Sequence, residues 1–210
     1  MADFTVKNYR VGMIQTNCYF MINRKTGKGL IIDPGDQPDT LLRRAAADGL
    51  APEAILLTHA HFDHVMGVEK LRQETGAKVY LHAADRTTLS DTIAEMFPQM
   101  GKRGQAVPVD VWMQGEPQLD LAGFHIQVFQ TPGHTTGGVC YYFTEEKVLF
   151  SGDTLFAGSI GRTDFPGGSY SALIRSVEEK LFVLPDETAV YPGHEGTTTI
   201  GHEKKYNPFF

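Results

Sequence analysis

A layered α/β fold with its chemistry along one edge is what this sequence predicts, on three observations. Short apolar runs of β-type residues alternate with helix-like segments from Cys18 to a last run at Ala189–Tyr191. Several histidines and aspartates, among them His59, His134, Asp153 and His194, come just after those runs. A hydrophobic content of 41% in 210 residues fills a sizeable core without disulfides, enough for one large domain or two small ones.

The elements follow in order. Cys18 to Ile22 and Leu30 to Ile32 are apolar runs on either side of the polar turn Asn23-Arg24-Lys25-Thr26-Gly27-Lys28, a hairpin signal. Asp33-Pro34-Gly35 stops the second strand. Asp39 is the expected N-cap of a helix with the apolar face Leu41, Leu42, Ala45 and Ala46, ending near Gly49. Ala54 to Leu57 reads as a short buried strand, Val65 to Glu74 as a helix, and Lys78 to His82 as a strand. Most of residues 86–116 is expected as a loop with a short helix before it, because Pro98, Gly101, Lys102-Arg103, Gly104 and Pro108 interrupt any periodicity. Long loops in compact domains often serve function. Phe124–Gln130, Val139–Phe143 and Val148–Phe150 then read as strands. Leu173, Val177 and Leu181 recur every four residues, which makes Ser169 to Leu181 an amphipathic helix. No internal repeat of fixed period is present, although the strand–helix succession is broadly similar in the two halves.

Composition narrows the function classes. A net charge of −6 argues against nucleic acid as a partner, since backbone binding depends on cationic neutralisation of phosphates. The two cysteines, Cys18 and Cys140, lie in apolar, aromatic surroundings and read as buried thiols. The opening residues carry no apolar run of signal-peptide type, and no stretch reaches membrane-spanning length. A cytoplasmic protein without a membrane partner is the expectation.

The segment Leu57-Thr58-His59-Ala60-His61-Phe62-Asp63-His64 concentrates four groups with metal affinity, three of them imidazoles, between a strand and a helix. Gathering them there costs desolvation free energy unless something binds them. His134 follows a strand in Thr131-Pro132-Gly133-His134-Thr135, Asp153 follows one in Ser151-Gly152-Asp153-Thr154, and His194 follows one in Tyr191-Pro192-Gly193-His194. A glycine before each of these three lets the backbone turn sharply beside an ion. Each loop alone is common turn chemistry, but together they form a ligand set. Imidazole and carboxylate without thiolate suit zinc first, with iron or manganese also accommodated. His82, His125 and His202 stand outside the set and read as surface or hydrogen-bonded residues. Trp112 and Phe97 read as partial core rather than as substrate contacts.

The succession T-H-x-H-x-D-H, P-G-H-T, G-D-T-L-F and P-G-H resembles the metallo-β-lactamase superfamily, and within it the glyoxalase II-like group. The similarity runs from Asp33-Pro34-Gly35 to the tail Thr199-Ile200-Gly201-His202-Glu203 and Asn207-Pro208-Phe209. Gly161-Arg162-Thr163-Asp164-Phe165 and that tail point to its short, single-domain members, and this resemblance implies one domain spanning residues 1–210. The resemblance implies a four-layer αβ/βα sandwich with the ligands along one edge of two sheets. It also implies two divalent ions, one on His59, His61 and His134 and the other on Asp63, His64 and His194. Asp153 would bridge them together with a water or hydroxide, so that Asp63 and Asp153 are the catalytic carboxylates. One zinc ion already lowers the pKa of its water to roughly 7. The implied activity is hydrolysis of a thioester, an acyl-glutathione or related acyl-thiol, with a small molecule as the partner.

Departures from the family leave alternatives. Full-length glyoxalase II enzymes carry a C-terminal helical region that supplies basic residues for glutathione, and no such separate domain is expected here. The principal rival is a persulfide dioxygenase of the same fold, with a single iron on His59, His134 and Asp153. A lactonase or nuclease of that fold ranks behind both. Asp33 reads equally as a group that orients an imidazole ligand and as a turn-forming residue before Pro-Gly. Arg162 stands where the two-domain enzymes resemble one another in having a substrate-contacting lysine. It could reach a substrate carboxylate through its planar fork or pair internally with Asp164.

Overall fold

The computed structural model describes residues 3–96 and 107–210. Strand β1 (Phe4–Val11) pairs antiparallel with β2 (Thr16–Asn23), and β2 pairs antiparallel with β3 (Lys28–Ile32). Helix α1 (Pro38–Asp48) leads to β4 (Ala51–Leu56), and helices α2 (Phe62–Val65) and α3 (Val68–Thr75) lead to β5 (Lys78–His82). A 3₁₀ turn at Ala83–Asp85 and helix α4 (Arg86–Met96) precede β6 (Val111–Met113). From β3 onward the neighbours run parallel, giving a six-stranded sheet ordered β1-β2-β3-β4-β5-β6.

The second half repeats the arrangement with different connections. Strands β7 (Gln118–Leu121), β8 (Phe124–Gln130), β9 (Val139–Phe143) and β10 (Val148–Gly152) form an antiparallel meander. A small hairpin, β11 (Leu155–Phe156) and β12 (Ser159–Ile160), precedes helix α5 (Tyr170–Ser176), which widens into a π turn at Val177–Leu181. Strand β13 (Ala189–Pro192) joins β10 in parallel, followed by β14 (Thr198–Thr199) and helix α6 (Ile200–Tyr206). The second sheet is therefore ordered β14-β13-β10-β9-β8-β7.

Side-chain alternation along the strands sorts the core into layers. On β2, Cys18, Phe20 and Ile22 face one way and join Leu41 and Ala45 of α1 and Leu71 of α3. Tyr19 and Met21 face the other way and meet Phe124, Val128, Tyr141 and Phe150 of the second sheet. Strand β9 divides in the same manner, with Tyr141 and Phe143 between the sheets and Cys140 and Tyr142 outward beside Val177, Leu181 and Ile200. The result is the four-layer αβ/βα sandwich. Each fully buried Leu, Ile, Val or Phe contributes roughly 1.5–3 kcal/mol relative to exposure, so the sheet-to-sheet layer alone is a large stabilising term. Both cysteines are buried free thiols.

Several local expectations change. The first helix is capped by Gln37 in a left-handed conformation with Pro38 at its first position, so Asp39 lies inside the first turn, where Lys70 pairs with it at 2.5 Å. The helix expected over Val65 to Glu74 is two helices, broken where the Gly67 N–H donates to the Pro34 carbonyl at 2.8 Å. Residues 86–96 are helical rather than loop, and Val111–Met113 is an edge strand. Phe97, Pro98, Gly101, Lys102, Arg103 and Gly104 lie outside the described residues. Trp112 is half-buried against the first sheet's outer core, with the Arg86 guanidinium 3.8 Å over its ring, and so is partial core. His125 and His202 are exposed, while His82 is buried with Nδ1 accepting from the Ala84 N–H at 3.3 Å. Among the described residues no helix is long and apolar enough to cross a membrane.

Candidate metal centre

Four strand ends converge at one edge of the sandwich. His59 and His61 stand on the loop after β4, and α2 opens at once to present Asp63 and His64. His134 follows β8, Asp153 follows β10 and His194 follows β13. The first four residues come from one sheet and the last three from the other, so the centre sits on the seam between the two layers. At this seam Gly193 admits nothing larger, since an added Cβ would lie 2.2 Å from Asp153 Oδ1 and 2.8 Å from His64 Cε1.

All seven sequence-selected ligands are brought together. One group gathers His59, His61 and His134, another Asp63, His64 and His194, and the donor atoms within each lie inside 4.8 Å of one another. In the first, His61 Nδ1 is 3.1 Å from His59 Nε2 and 2.9 Å from His134 Nε2. Those spacings approach the edge of a tetrahedron whose centre is about 2 Å from each nitrogen, the usual zinc–imidazole distance. In the second, Asp63 Oδ2 is 3.2 Å from both His64 Nε2 and His194 Nε2. Asp153 stands between the groups, 3.5 Å from His64, 3.5 Å from His194 and 3.6 Å from His134.

The surroundings fix which nitrogen of each ring faces inward. His64 Nδ1 lies 3.0 Å from Asp33 Oδ2, an acceptor, so the proton belongs there and the Nε2 lone pair faces the centre. His134 Nδ1 donates to the Arg162 carbonyl at 2.7 Å with the same result. The Thr58 hydroxyl donates to Asp33 Oδ2 at 2.6 Å, which leaves its oxygen to accept from His59 Nδ1 at 3.1 Å. Thr16 adds a hydrogen bond of 2.6 Å to Asp63 Oδ2. His64 Nε2 and Asp153 Oδ1 are buried with no hydrogen-bond partner, and both point into the space between the rings. Unpaired buried lone pairs of this kind are costly, and a cation satisfies them. The donor set and these two orphaned atoms fit divalent metal ions.

Protonation tells the same story. Burial, with the His64, His61 and His134 rings nearby, holds His59 well below the ordinary histidine range. Burial, then His134 and His64, takes His61 down to about 4. These rings stand neutral, as ligands must. In the second group burial opposes the charge on His64, yet Asp63, Asp153 and Asp33 outweigh it and raise the imidazole well above its usual value. Burial likewise opposes the charge on His194, but the hydrogen bond to Asp63 and the Asp153 carboxylate raise it. Burial would raise Asp63, but the His64 charge beside it, with hydrogen bonds from His194 and Thr16, holds it well below the carboxylate range. Without an ion, protons on the imidazoles stand where a cation would balance the carboxylates.

The centre opens onto a cleft of about 970 Å³. Ile14, Phe62, Phe156, Ile160 and Phe165 supply its apolar wall, and Thr88, Asp91 and Glu95 of α4 its polar one. The Arg162 guanidinium lies at the rim, two-thirds exposed, with a forked pair to Asp164 at 3.0 and 2.8 Å and its carbon 4.3 Å from the Phe165 ring. Sequence reasoning singled out this side chain and missed the carbonyl beside it, which orients His134. Thr16 and the role of Thr58 were missed too. A threonine directly before the first histidine was the only local sign of the latter.

The chain is similar along nearly its whole length to proteins of this architecture. A family model described as the metallo-β-lactamase superfamily matches residues 11–194. The probable metallo-hydrolase YqgX of Bacillus subtilis is 40% identical, covering 95% of this chain and 94% of its own. The hydroxyacylglutathione hydrolase GloC of Haemophilus influenzae is 37% identical with the same coverage, 95% and 94%. Among solved structures, the B3 metallo-β-lactamase BLEG-1 superposes with a TM-score of 0.88 at 41% identity, covering 98% of this chain and 99% of that one. TTHA1623 in a di-iron-bound form superposes with a TM-score of 0.82 at 39% identity, covering 97% and 100%. Fold, ligand geometry and these relatives agree: the chain belongs to the metallo-β-lactamase superfamily, whose members bind metal ions and act as hydrolases.

Proposed function

We propose that the protein is a binuclear metal-dependent hydrolase that cleaves a thioester, an acyl-glutathione or related acyl-thiol. The observation that carries the reading is the pair of ligand groups that share Asp153 and open together onto the cleft. His59, His61 and His134 would hold one divalent ion, and Asp63, His64 and His194 the other. Bound there, the ions would supply an acidified water and polarise a carbonyl oxygen. Asp153 lies 3.5–3.6 Å from nitrogens of both groups, so it is the carboxylate that could serve either ion. Asp33, through Thr58 and His64, aims lone pairs at the ions, and the Arg162 carbonyl does so through His134. The apolar wall excludes bulk water and accepts the acyl chain. A thiolate is a good leaving group and needs no strong acid beside it.

The thioester preference rests on the resemblance of Gly161-Arg162-Thr163-Asp164-Phe165 and of the segment from Thr199 to Phe209 to glyoxalase II-like proteins, and on the similarity to GloC. A single-iron persulfide dioxygenase would leave His61, His64 and His194 without work, and their close packing in the centre weighs against it. The purified protein, loaded in turn with zinc, iron and manganese, should bind close to two ions. It should release free thiol from an acyl-glutathione or a simpler acyl-thiol faster than it opens a β-lactam or consumes oxygen with a persulfide. One tightly bound iron with persulfide-dependent oxygen uptake and no thiol release would overturn the proposal.

A further inference from the structure

A carboxylate outside the ligand set holds two of the ligand loops together. Asp85 ends the 3₁₀ turn after β5 and is fully buried, with no lysine or arginine paired to it among the described residues. Its Oδ2 accepts from the Ala60 N–H at 2.7 Å, and Ala60 lies between His59 and His61. Its Oδ1 accepts from the Gly137 N–H at 2.9 Å, on the loop that carries His134, and from the Thr88 hydroxyl at 3.1 Å. The neighbouring Ala84 carbonyl accepts from Thr136 Oγ1 at 3.0 Å, a second stitch to the same loop. Gly137 has no room for a side chain, since an added Cβ would lie 2.3 Å from the Asp85 nitrogen. From the other side, Thr92 of α4 donates to the Ala60 carbonyl at 2.8 Å.

A buried anion satisfied only by N–H and O–H donors is stable in one arrangement, because each donor removed leaves part of the charge uncompensated. Both anchored backbones belong to the His59, His61 and His134 group, and neither belongs to the other. The 2.9 and 3.1 Å spacings of that group's nitrogens therefore depend on a carboxylate that touches none of them. We propose that Asp85 is the positioning residue of the first metal position: its two oxygens clamp the His59–His61 loop to the His134 loop, and its loss weakens divalent-metal binding there while sparing the Asp63–His64–His194 position. This rests on the two-ion reading.

The test is a metal titration of metal-free protein against a chromophoric chelator, for wild type and Asp85→Asn, with circular dichroism confirming the fold. The carboxamide turns an NH2 toward one of the two backbone donors. One of the two ions should then bind about 10- to 100-fold more weakly, the range found when groups that orient metal ligands are removed. The loss should vanish when His61→Ala already disables the first position, and persist when His194→Ala disables the second. Equal weakening of both ions would assign Asp85 a merely structural role, and unchanged affinities would refute the clamp. Wild type binding no second ion would sink the two-ion reading instead. Should Asp85→Asn fail to fold, Thr88→Val removes one of the three donors and leaves both loops intact. It should weaken the same ion selectively, and an effect shared by both ions overturns the inference.

Discussion

Asp33→Asn changes a charge and little else. Asp33 has φ 49, a left-handed conformation that asparagine also tolerates, so the substitution adds no backbone strain. The carboxylate accepts from the Thr58 N–H at 2.8 Å, the Thr58 hydroxyl at 2.6 Å and His64 Nδ1 at 3.0 Å. A carboxamide oxygen left on the Thr58 N–H turns its NH2 toward His64. The ring can accept that bond only by moving its proton from Nδ1 to Nε2, the nitrogen that faces the centre. A ligand lone pair is then lost, and metal affinity at the Asp63–His64–His194 position should fall about 10- to 100-fold, or about 1.4–2.7 kcal/mol. Zinc titration against a chromophoric chelator reads that affinity, and thermal melting of the metal-free protein reads the separate cost of the lost buried hydrogen bond. Two ions bound within twofold of wild-type affinity would refute the reasoning and leave Asp33 as a turn residue before Pro-Gly.

Asp153→Ala removes the carboxylate that faces both groups, so bound metal should fall to one ion or fewer and hydrolysis should suffer more than from any other single ligand change. Near-normal turnover with full metal content, by elemental analysis, would show that Asp153 is not shared. Arg162 is the one lysine or arginine among the described residues lining the cleft. Arg162→Ala should raise KM for anionic thioesters more than for neutral ones, whereas equal losses with a lower melting temperature would confine it to its pair with Asp164. Far from the centre, hydrogen bonds from the Arg72 guanidinium and the Val79 N–H hold the Asp110 carboxyl at about 2, against an ordinary value of 3.8. Its folded pKa lies below the unfolded one, so its stabilisation is complete above about pH 4 and fades as the pH falls toward 2. The stability difference between wild type and Asp110→Asn in urea titrations should hold constant from pH 7 to about 5 and shrink below 4, and a difference independent of pH would contradict the pairing.

The clustering of the site's histidines and aspartates was legible because their chemistry is local. His59, His61, Asp63 and His64 crowd six residues, and His134, Asp153 and His194 each follow an apolar run. The layers were legible through the family resemblance, and the helices that cover them through Leu41, Ala45, Val177 and Leu181 at helical spacing. The two faces of β2 and β9 appear only in the structure, because those runs are apolar and buried throughout. What escaped has no local signature. Strand β1 mixes exposed and half-buried residues and reads as neither strand nor helix. Helix α4 is polar, with Thr87, Asp91 and Glu95 turned to the cleft, so its periodicity is faint. The break at Gly67 comes from the Pro34 carbonyl, more than thirty positions away. Asp85 and the Arg162 carbonyl act through backbone groups brought close only by the tertiary fold. A backbone carbonyl carries no mark in a sequence.

Every strand of the first sheet ends by Met113, and every strand of the second begins at Gln118 or later. The short connector between them, Gln114 to Pro117, is mostly exposed. A chain cut there would become two fragments, each carrying one whole sheet and one share of the ligands, with Tyr19, Met21, Phe124 and Phe143 as the sticky faces. Neither fragment could bind an ion as the intact molecule would, so a metal-dependent signal would appear only when the two find each other. The seam that houses the chemistry would then serve as a built-in reporter of reassembly.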